Sequence, residues 1–481
     1  MINKSIWSST VKNSKKDVLK SDINTETLII GCGISGMSIG IELHEKDVDF
    51  TMVEMNEVGS GTTGKSTGKL TYAQGSIYNK IINNYGIDTA FKYYKSQTVA
   101  IKRVESIIKK YNIDCDFERV NSCIFTNNTK DIKIIKKEED FYNRFNIKYK
   151  VINKLPNNYP VVYGIMLYNT AIFNPLKYVY SLKKIIKKNH KVYENTKVLY
   201  IDKCNNNYCV HTNKGNITCS RIVVATHYPF FIVPAFIPLK THIERSYVLS
   251  SKIKVDKLSS ITALKPTISM RSYKDNLLFS SNSHGNFYIN YKKQFSELED
   301  KFKCYFNEKY DYMWSTHDVM SNDSIPYIDK INDTMYISTA FNKWGMTNGV
   351  LSGMIISDYI TNSKNNYSHI FSLNRPFSLN RSINAIKNNL VTGCTFVKNK
   401  LVKNHSFYEY AEVVKENGMD VGVYHGKDKD YKVKNICPHM KCSLVFNEIE
   451  KTWECPCHGS SFDIEGNVLT GPSTYSIKLD K

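Results

Sequence analysis

Two short motifs near the C-terminus place metal-ligating side chains at fixed intervals: Cys437-x-His439 and Cys455-x-x-His458, with fifteen residues between His439 and Cys455. Two hairpin loops could bring these pairs together. Two thiolates would hold one iron of a two-iron cluster. Two neutral imidazoles would hold the other and raise its reduction potential. The same donors also suit tetrahedral zinc, but the spacing is not that of a zinc finger. Each motif carries one further cysteine, Cys442 and Cys457.

A second chemistry lies near the N-terminus. The strand-like Thr27–Ile30 runs into Gly31-Cys-Gly33-Ile-Ser-Gly36, and a helix follows. Gly31 permits a tight turn, Gly33 lets a pyrophosphate approach the helix N-terminus, and Gly36 allows close packing of helix on strand. The next strand ends at Glu54, 21 positions after Gly33. A carboxylate there accepts from both ribose hydroxyls of a dinucleotide and repels a 2′-phosphate. NAD and FAD both satisfy this pattern.

The elements that must position these groups follow from periodicity. Residues 24–54 read as strand, Gly-rich turn, helix and strand. Residues 88–111 read as an amphipathic helix, and Asn174-Pro175 caps and opens a helix over 174–189. Runs at 196–201 and 208–212 are strand-like, with a turn near Asn213–Asn216. The nearly all-apolar RIVVAT (221–226) suits the interior of a parallel sheet. Residues 240–320 read as mostly β, and MYISTAF (335–341) leads through a turn into a helix ending near Ile360. From about 390 short strands and turns take over, so a domain boundary is expected at 370–390.

The first ~365 residues resemble the D-amino-acid-oxidase-like (glycine/sarcosine oxidase-like) FAD family, through four spaced segments beyond the glycine motif. In GSGTTGKSTGKLT (59–71), the residues Thr62, Thr63, Ser66, Thr67, Gly68 and Lys69 match the segment passing along the FAD pyrophosphate and flavin. Val198 follows the capped helix, where the family's backbone meets the adenine. Ala225 and Thr226 end the strand that closes the site. Gly345, Met346 and Thr347 in WGMTNG match a helix start facing the flavin. With Gly31, Gly33, Ser35, Gly36 and Glu54, these are the cofactor residues that the resemblance implies.

Residues 391–481 resemble the Rieske [2Fe–2S] family. The resemblance implies Cys437, His439, Cys455 and His458 as cluster ligands and a Cys442–Cys457 disulfide of the cytochrome-bc type. It also implies a covering loop at Gly471-Pro472 and a hydrogen bond from Ser460 to a cluster sulfide. Phe462 stands where high-potential members carry a sulfur-bonding Tyr. A donor is therefore missing, and a redox titration should place the potential in the lower part of the ~−150 to +300 mV span. A value near the top overturns this. Lys441 replaces a frequent Gly, which would cost about 1 kcal/mol if the position needs φ > 0. FSSNSHG (279–285) has Ser280 and Ser281 where relatives of the flavoprotein tend to have glycines.

Together, with ATHYPF (225–230) and FNKWGMTNG (341–349), the two halves resemble bacterial fusions of this flavoprotein with a C-terminal Rieske domain. The expected architecture is an α/β Rossmann-type FAD domain (about 24–71, 174–230 and 320–362) interleaved with an α+β substrate or cap domain (about 72–173 and 231–319). A linker (371–390) and a small all-β domain (391–481) follow. The expected cofactors are FAD and a [2Fe–2S] cluster. The expected activity is a dehydrogenase for an amine or amino-acid-like small molecule, passing electrons singly to a protein acceptor. Reversed flow from cluster to flavin to substrate, or a redox sensor without turnover, are the alternatives. His227, His242, Arg245, Arg271, His284 and Lys343 are candidate bases by location only, so no catalytic residue is assigned.

The net charge of +20 raises nucleic acid or anionic membrane as partners. The excess is scattered among lysines upstream of residue 391, in a chain rich in Lys, Asn, Ile and Tyr. It reads as solvated surface, and no nucleic acid is expected. No apolar run reaches the ~18 residues of a membrane helix, although peripheral membrane contact stays open. The lysine-rich start lacks a secretory apolar core, so a cytoplasmic location is expected. The twelve cysteines suit reduced thiols plus one dense metal site, the scattered ones acting as small buried hydrophobes.

Overall fold

The strand Ile23–Ile30 is buried on both faces over its last four residues, as an interior parallel strand must be. Phe50–Val53 and Asn216–Val224 flank it in parallel, with Ile30 level with Val53 and Val224. Lys191–Tyr193 extends the sheet beyond Phe50–Val53, and Met335–Thr339 extends it beyond Asn216–Val224. Tyr327–Asn332 closes that edge antiparallel. The hairpin Val198–Cys204 and Asn207–Thr212 branches off Asn216–Val224. This computed structural model describes residues 3–479 except 14–15, 158, 231–236, 286–289, 377, 379–381, 387, 389 and 391–409. Cys394 and the expected start of the C-terminal domain lie outside the described residues.

Helices Ile34–Glu45 and Gly345–Ile360 pack tightly on one another. A Cβ added at Gly353 would lie 2.5 Å from the Ser38 carbonyl oxygen. The interleaved segments form a second, nine-stranded sheet. Its path runs Tyr312–Ser321, Thr241–Ser251, Asn276–Gly285, Ser269–Tyr273, Ser259–Thr262, Glu118–Thr126, Pro160–Ile172 and Lys69–Leu70, and the ninth strand, Tyr149–Lys154, pairs with Pro160–Ile172 off this path. The expected mostly-β stretch 240–320 also holds a helix, Tyr291–Phe306. Tyr291, Phe295, Leu298 and Phe302 form its buried stripe at helical spacing. Asn290 caps it by accepting from the Lys293 N–H at 2.9 Å.

The C-terminal region holds a three-stranded sheet, Ala411–Glu416, Met419–His425 and Asp430–Lys434. A four-stranded one follows: Val445–Asn447, Thr452–Glu454, Ser461–Phe462 and Val468–Thr470. They share a core of Val413, Val433, Phe446, Trp453 and Phe462, onto which Met55 of the flavoprotein half also packs. The chain leaves the first sheet through Arg375, whose buried guanidinium forks onto Asp323 (2.9 and 3.0 Å) and stacks on Tyr327.

The scattered cysteines divide. Cys32, Cys115, Cys123 and Cys219 are buried and unbonded, as expected, whereas Cys304 is exposed. Cys204 and Cys209 form a disulfide across the branching hairpin. That pair departs from the expectation, because the hairpin turns both side chains to one face.

Candidate functional site

Between the two sheets lies a cavity of about 1140 Å³, larger than the ~300–1,000 Å³ of a single-ligand pocket. All the expected cofactor residues line it except Gly36 and Thr347. Gly36 sits just behind the wall, where an added Cβ would lie 1.9 Å from the Gly31 carbonyl oxygen. Gly31 itself has φ +98° and no room for a Cβ beside the Ala225 carbonyl. Thr347 lies in the first turn of Gly345–Ile360, within 3.5 Å of Gln74 Nε2. Glu54 ends the second strand and accepts the Cys32 and Asn56 N–H groups at 2.8 and 3.0 Å. Burial raises its pKa. Each carboxylate oxygen keeps a lone pair free for a ribose hydroxyl. Thr63 Oγ1 accepts from the Ile34 N–H at 2.9 Å, fastening the flavin-side segment to the first helix. These residues fit a dinucleotide.

Lys69 lines the same cavity, but its ammonium is tied to the sheet wall. It donates to the Ser260 carbonyl (2.7 Å) and Ser269 Oγ (2.6 Å), and burial, then Arg271, lowers its pKa to about 7. Of the candidate bases, His227, His242 and Lys343 line the cavity, whereas Arg245, Arg271 and His284 do not. Arg271 is buried and donates to the Thr67, Gly68 and Phe173 carbonyls. Its role is to shape the flavin-side segment. His284 Nε2 meets the Tyr247 hydroxyl at 3.0 Å. Ser280 and Ser281 do line the cavity.

Sequence reasoning missed Lys80, Glu244, Lys265 and Asp318, which also line it. Glu244 and Asp318 are directly opposed on adjacent antiparallel strands. Glu244 is fully engaged, by Lys265 (2.6 Å), Lys343 (2.8 Å) and Ser283 (3.1 Å). The alternation His242, Glu244, Ser246, Val248 was the available signal, since every second residue of a strand shares a face.

The second constellation lies against the cavity. The rings of His439 and His458 meet edge-on at 5.0 Å, and the Nδ1 atom of each is buried without a partner. Burial lowers the pKa of both, that of His458 to about 4. Cys437 and Cys455 are buried and adjacent. A hydrogen bond with the Cys455 thiol holds the Cys437 thiol down to about 7 against the opposing effect of burial, and Ser460 also bonds Cys437. Ser460 Oγ in turn accepts the Ser473 N–H at 2.9 Å, tying the Gly471-Pro472 loop to this pocket. The sulfurs of Cys442, Cys455 and Cys457 also cluster. However, Cys442 and Cys457 are bonded to each other (S–S 2.07 Å) and so are not thiolate donors. Two unpartnered imidazole nitrogens beside two buried thiols fit a mixed Cys/His cluster.

Lys441 has φ +60°. Lys441→Gly should therefore stabilise the C-terminal domain by about 1 kcal/mol, read as a rise in its denaturation midpoint. Phe462 is fully buried.

The two constellations touch. The His458 and Tyr228 rings lie 5.7 Å apart, and Tyr228 follows Ala225 and Thr226 on the cavity wall. Residues 469–474 line the cavity too, and Asn56 Nδ2 donates to the Leu469 carbonyl at 3.0 Å. The seam is sealed by Arg245, which reaches Glu450 (3.2 Å) and Glu454 (2.8 Å) of the C-terminal domain and donates to His317 Nε2 (2.8 Å).

A two-sheet flavoprotein fold with a dinucleotide cradle, joined to a Cys/His iron–sulfur pocket, defines an oxidoreductase with two redox centres. The chain belongs to the FAD dependent oxidoreductase family, which it matches over residues 26–359, and carries a Rieske [2Fe-2S] domain over 399–479. It binds FAD and a [2Fe–2S] cluster accordingly. It is 28% identical to the putative Rieske 2Fe-2S iron-sulfur protein YhfW of Bacillus subtilis, over 98% of this chain and 96% of that one. Glycine oxidase from Geobacillus kaustophilus shares the fold, with TM-score 0.62, 14% identity, and coverage of 74% of this chain and 100% of its own. So does L-amino acid deaminase from Proteus vulgaris, with TM-score 0.61, 18% identity and coverage of 77% and 98%. Among the described residues no helix is long and apolar enough to cross a membrane.

Proposed function

We propose that this chain is a dehydrogenase of an amine or amino-acid-like substrate that exports electrons singly through its own cluster to a protein acceptor. Cys437, His439, Cys455 and His458 are the cluster ligands in this reading, and the cavity-lining residues named above, with Gly36 and Thr347 behind them, hold FAD. When bound, FAD supplies a two-electron hydride acceptor and the cluster a one-electron outlet. The observation that carries the reading is the His458–Tyr228 contact at 5.7 Å, which sets a cluster ligand against the wall of the cofactor cavity. Tyr228 would lie between the two centres, and Gly471 and Pro472 line the cavity on the side of the cluster pocket.

Glycine oxidase and L-amino acid deaminase, which share the fold, support an amine or amino-acid substrate by analogy. A cytoplasmic location remains part of the proposal. The test is anaerobic mixing of the holoprotein with a panel of amines and amino acids. Bleaching of the flavin bands followed by the reduced-cluster EPR signal supports the proposal. Reoxidation of both pre-reduced centres by a substrate reverses the direction of flow. No change with any compound overturns turnover and leaves a sensor.

A further inference from the structure

Among the described residues of the C-terminal domain, one segment enters the lining of the cofactor cavity, residues 469–474. It starts beside the carboxylate of the glycine-motif half. Glu54 accepts the Asn56 N–H at 3.0 Å, and Asn56 Nδ2 donates to the Leu469 carbonyl at 3.0 Å. Met55, between Glu54 and Asn56, lines the cavity and packs onto the core of the C-terminal domain. A carboxylate at the end of the second strand takes the adenosine ribose of a dinucleotide. The segment therefore begins two hydrogen bonds away from the group that would hold that ribose.

The chemistry of the segment suits that neighbour. Leu469, Thr470, Gly471, Pro472, Ser473 and Thr474 carry no charge. Adenosine is likewise uncharged, with apolar ring faces and polar edges. Sites for such groups are mostly apolar walls with a few polar atoms. A wall for the pyrophosphate would instead offer cations or a helix N-terminus. The segment is also anchored to the cluster pocket. Ser460 Oγ accepts the Ser473 N–H at 2.9 Å, and the Ser461 and Thr470 hydroxyls meet at 2.6 Å. Its shape is thus set by the C-terminal domain before any ligand arrives, and a preformed wall costs little ordering entropy on binding.

Resting on the reading that this cavity holds FAD, we propose that residues 469–474 of the C-terminal domain are part of the FAD site and cover its adenosine end. The cofactor is then held between two domains, and its site is incomplete in the flavoprotein half alone. By linkage, the affinity that FAD gains from this wall reappears as tighter docking of the C-terminal domain.

The test is hydrogen–deuterium exchange of the full chain with its cluster, compared with FAD bound, with FAD removed, and with ADP-ribose added after that removal. Exchange within 469–474 should slow about threefold or more with FAD and with ADP-ribose alike. Protection of 31–36 and 54–56 without protection of 469–474 overturns the proposal and leaves the FAD cavity standing. Protection of 469–474 by FAD but not by ADP-ribose overturns it too, since the adenosine half is then not what the segment covers. FAD that protects none of these segments sinks the cavity reading itself. A second readout is release of FAD from the holoprotein, followed as the return of flavin fluorescence. Leu469 is 36% exposed, so its truncation spares the core. Leu469→Ala should speed release about three- to tenfold, through the lost apolar contact. Tyr475→Ala, next to the segment but outside the cavity lining, should leave release unchanged. An unaltered rate in Leu469→Ala, or equal acceleration in both variants, overturns the proposal.

Discussion

His458→Ala, purified anaerobically, will keep its flavin absorption bands and lose the rhombic, low-g EPR signal that dithionite raises in the unaltered chain. Iron content should fall more than about tenfold, because even groups outside a ligand set change metal affinity by about 10–100-fold. The flavin should survive, because His458 is not among the residues that line the cavity proposed to hold FAD. The C-terminal domain should also melt earlier than the flavoprotein half. Its small sheets enclose two buried imidazole nitrogens without protein partners, and an unsatisfied buried polar atom costs about 1–3 kcal/mol. Full iron and an unchanged signal in this variant would remove His458 from the ligand set. Stoichiometric zinc in the unaltered chain would remove the cluster itself.

The second large effect is expected at the seam. Arg245→Met should destabilise the chain by about 3–5 kcal/mol, the usual cost of stranding one side of a buried ion pair. Arg245 is 2% exposed and lies between Glu450 and Glu454, stacked on Tyr291 at 4.8 Å. The contacts are unequal. Glu450 also accepts the Ser315 N–H and hydroxyl at 2.9 and 2.6 Å. Glu454 is close to Arg245, but its Oε2 lies outside good hydrogen-bond geometry. Glu454 directly precedes Cys455, so the loss should also alter the EPR line shape of the cluster. Adding Glu450→Gln and Glu454→Gln to the variant should recover much of the stability, since charge removal at both ends relieves the uncompensated burial. A denaturation midpoint unchanged in the single variant would show that the seam is solvated and that Arg245 does not hold the domains together.

What was legible in the sequence was whatever local spacing determines. The Cys-x-His and Cys-x-x-His pairs, the glycine motif and Glu54 are read from neighbours a few positions apart, because a turn or a strand–helix junction sets their geometry. The strands Ile23–Ile30 and Asn216–Val224 were visible because parallel interior strands are apolar on both faces. The helix Tyr291–Phe306 was legible in principle, through its stripe at 291, 295, 298 and 302, but was masked by strand-rich flanks.

Arg245 is the instructive failure. Location alone made it a candidate base, yet one step along a strand moves a side chain to the other face. Position 244 turns into the cavity, while 245 seals the seam with a domain two hundred residues away. Which face is which depends on the packing of the whole sheet. Likewise, Lys80 on a helix and Asp318 on a strand line one cavity only because Tyr312–Ser321 pairs with Thr241–Ser251 and the helix Ile77–Tyr85 sits over that sheet. By itself, the sequence determined the two cofactors and offered the short motifs expected to hold them, since those signals are short-range. The tertiary structure alone decided that the cluster pocket abuts the flavin cavity, and which charged side chains line that cavity, since both follow from contacts between segments far apart in the chain.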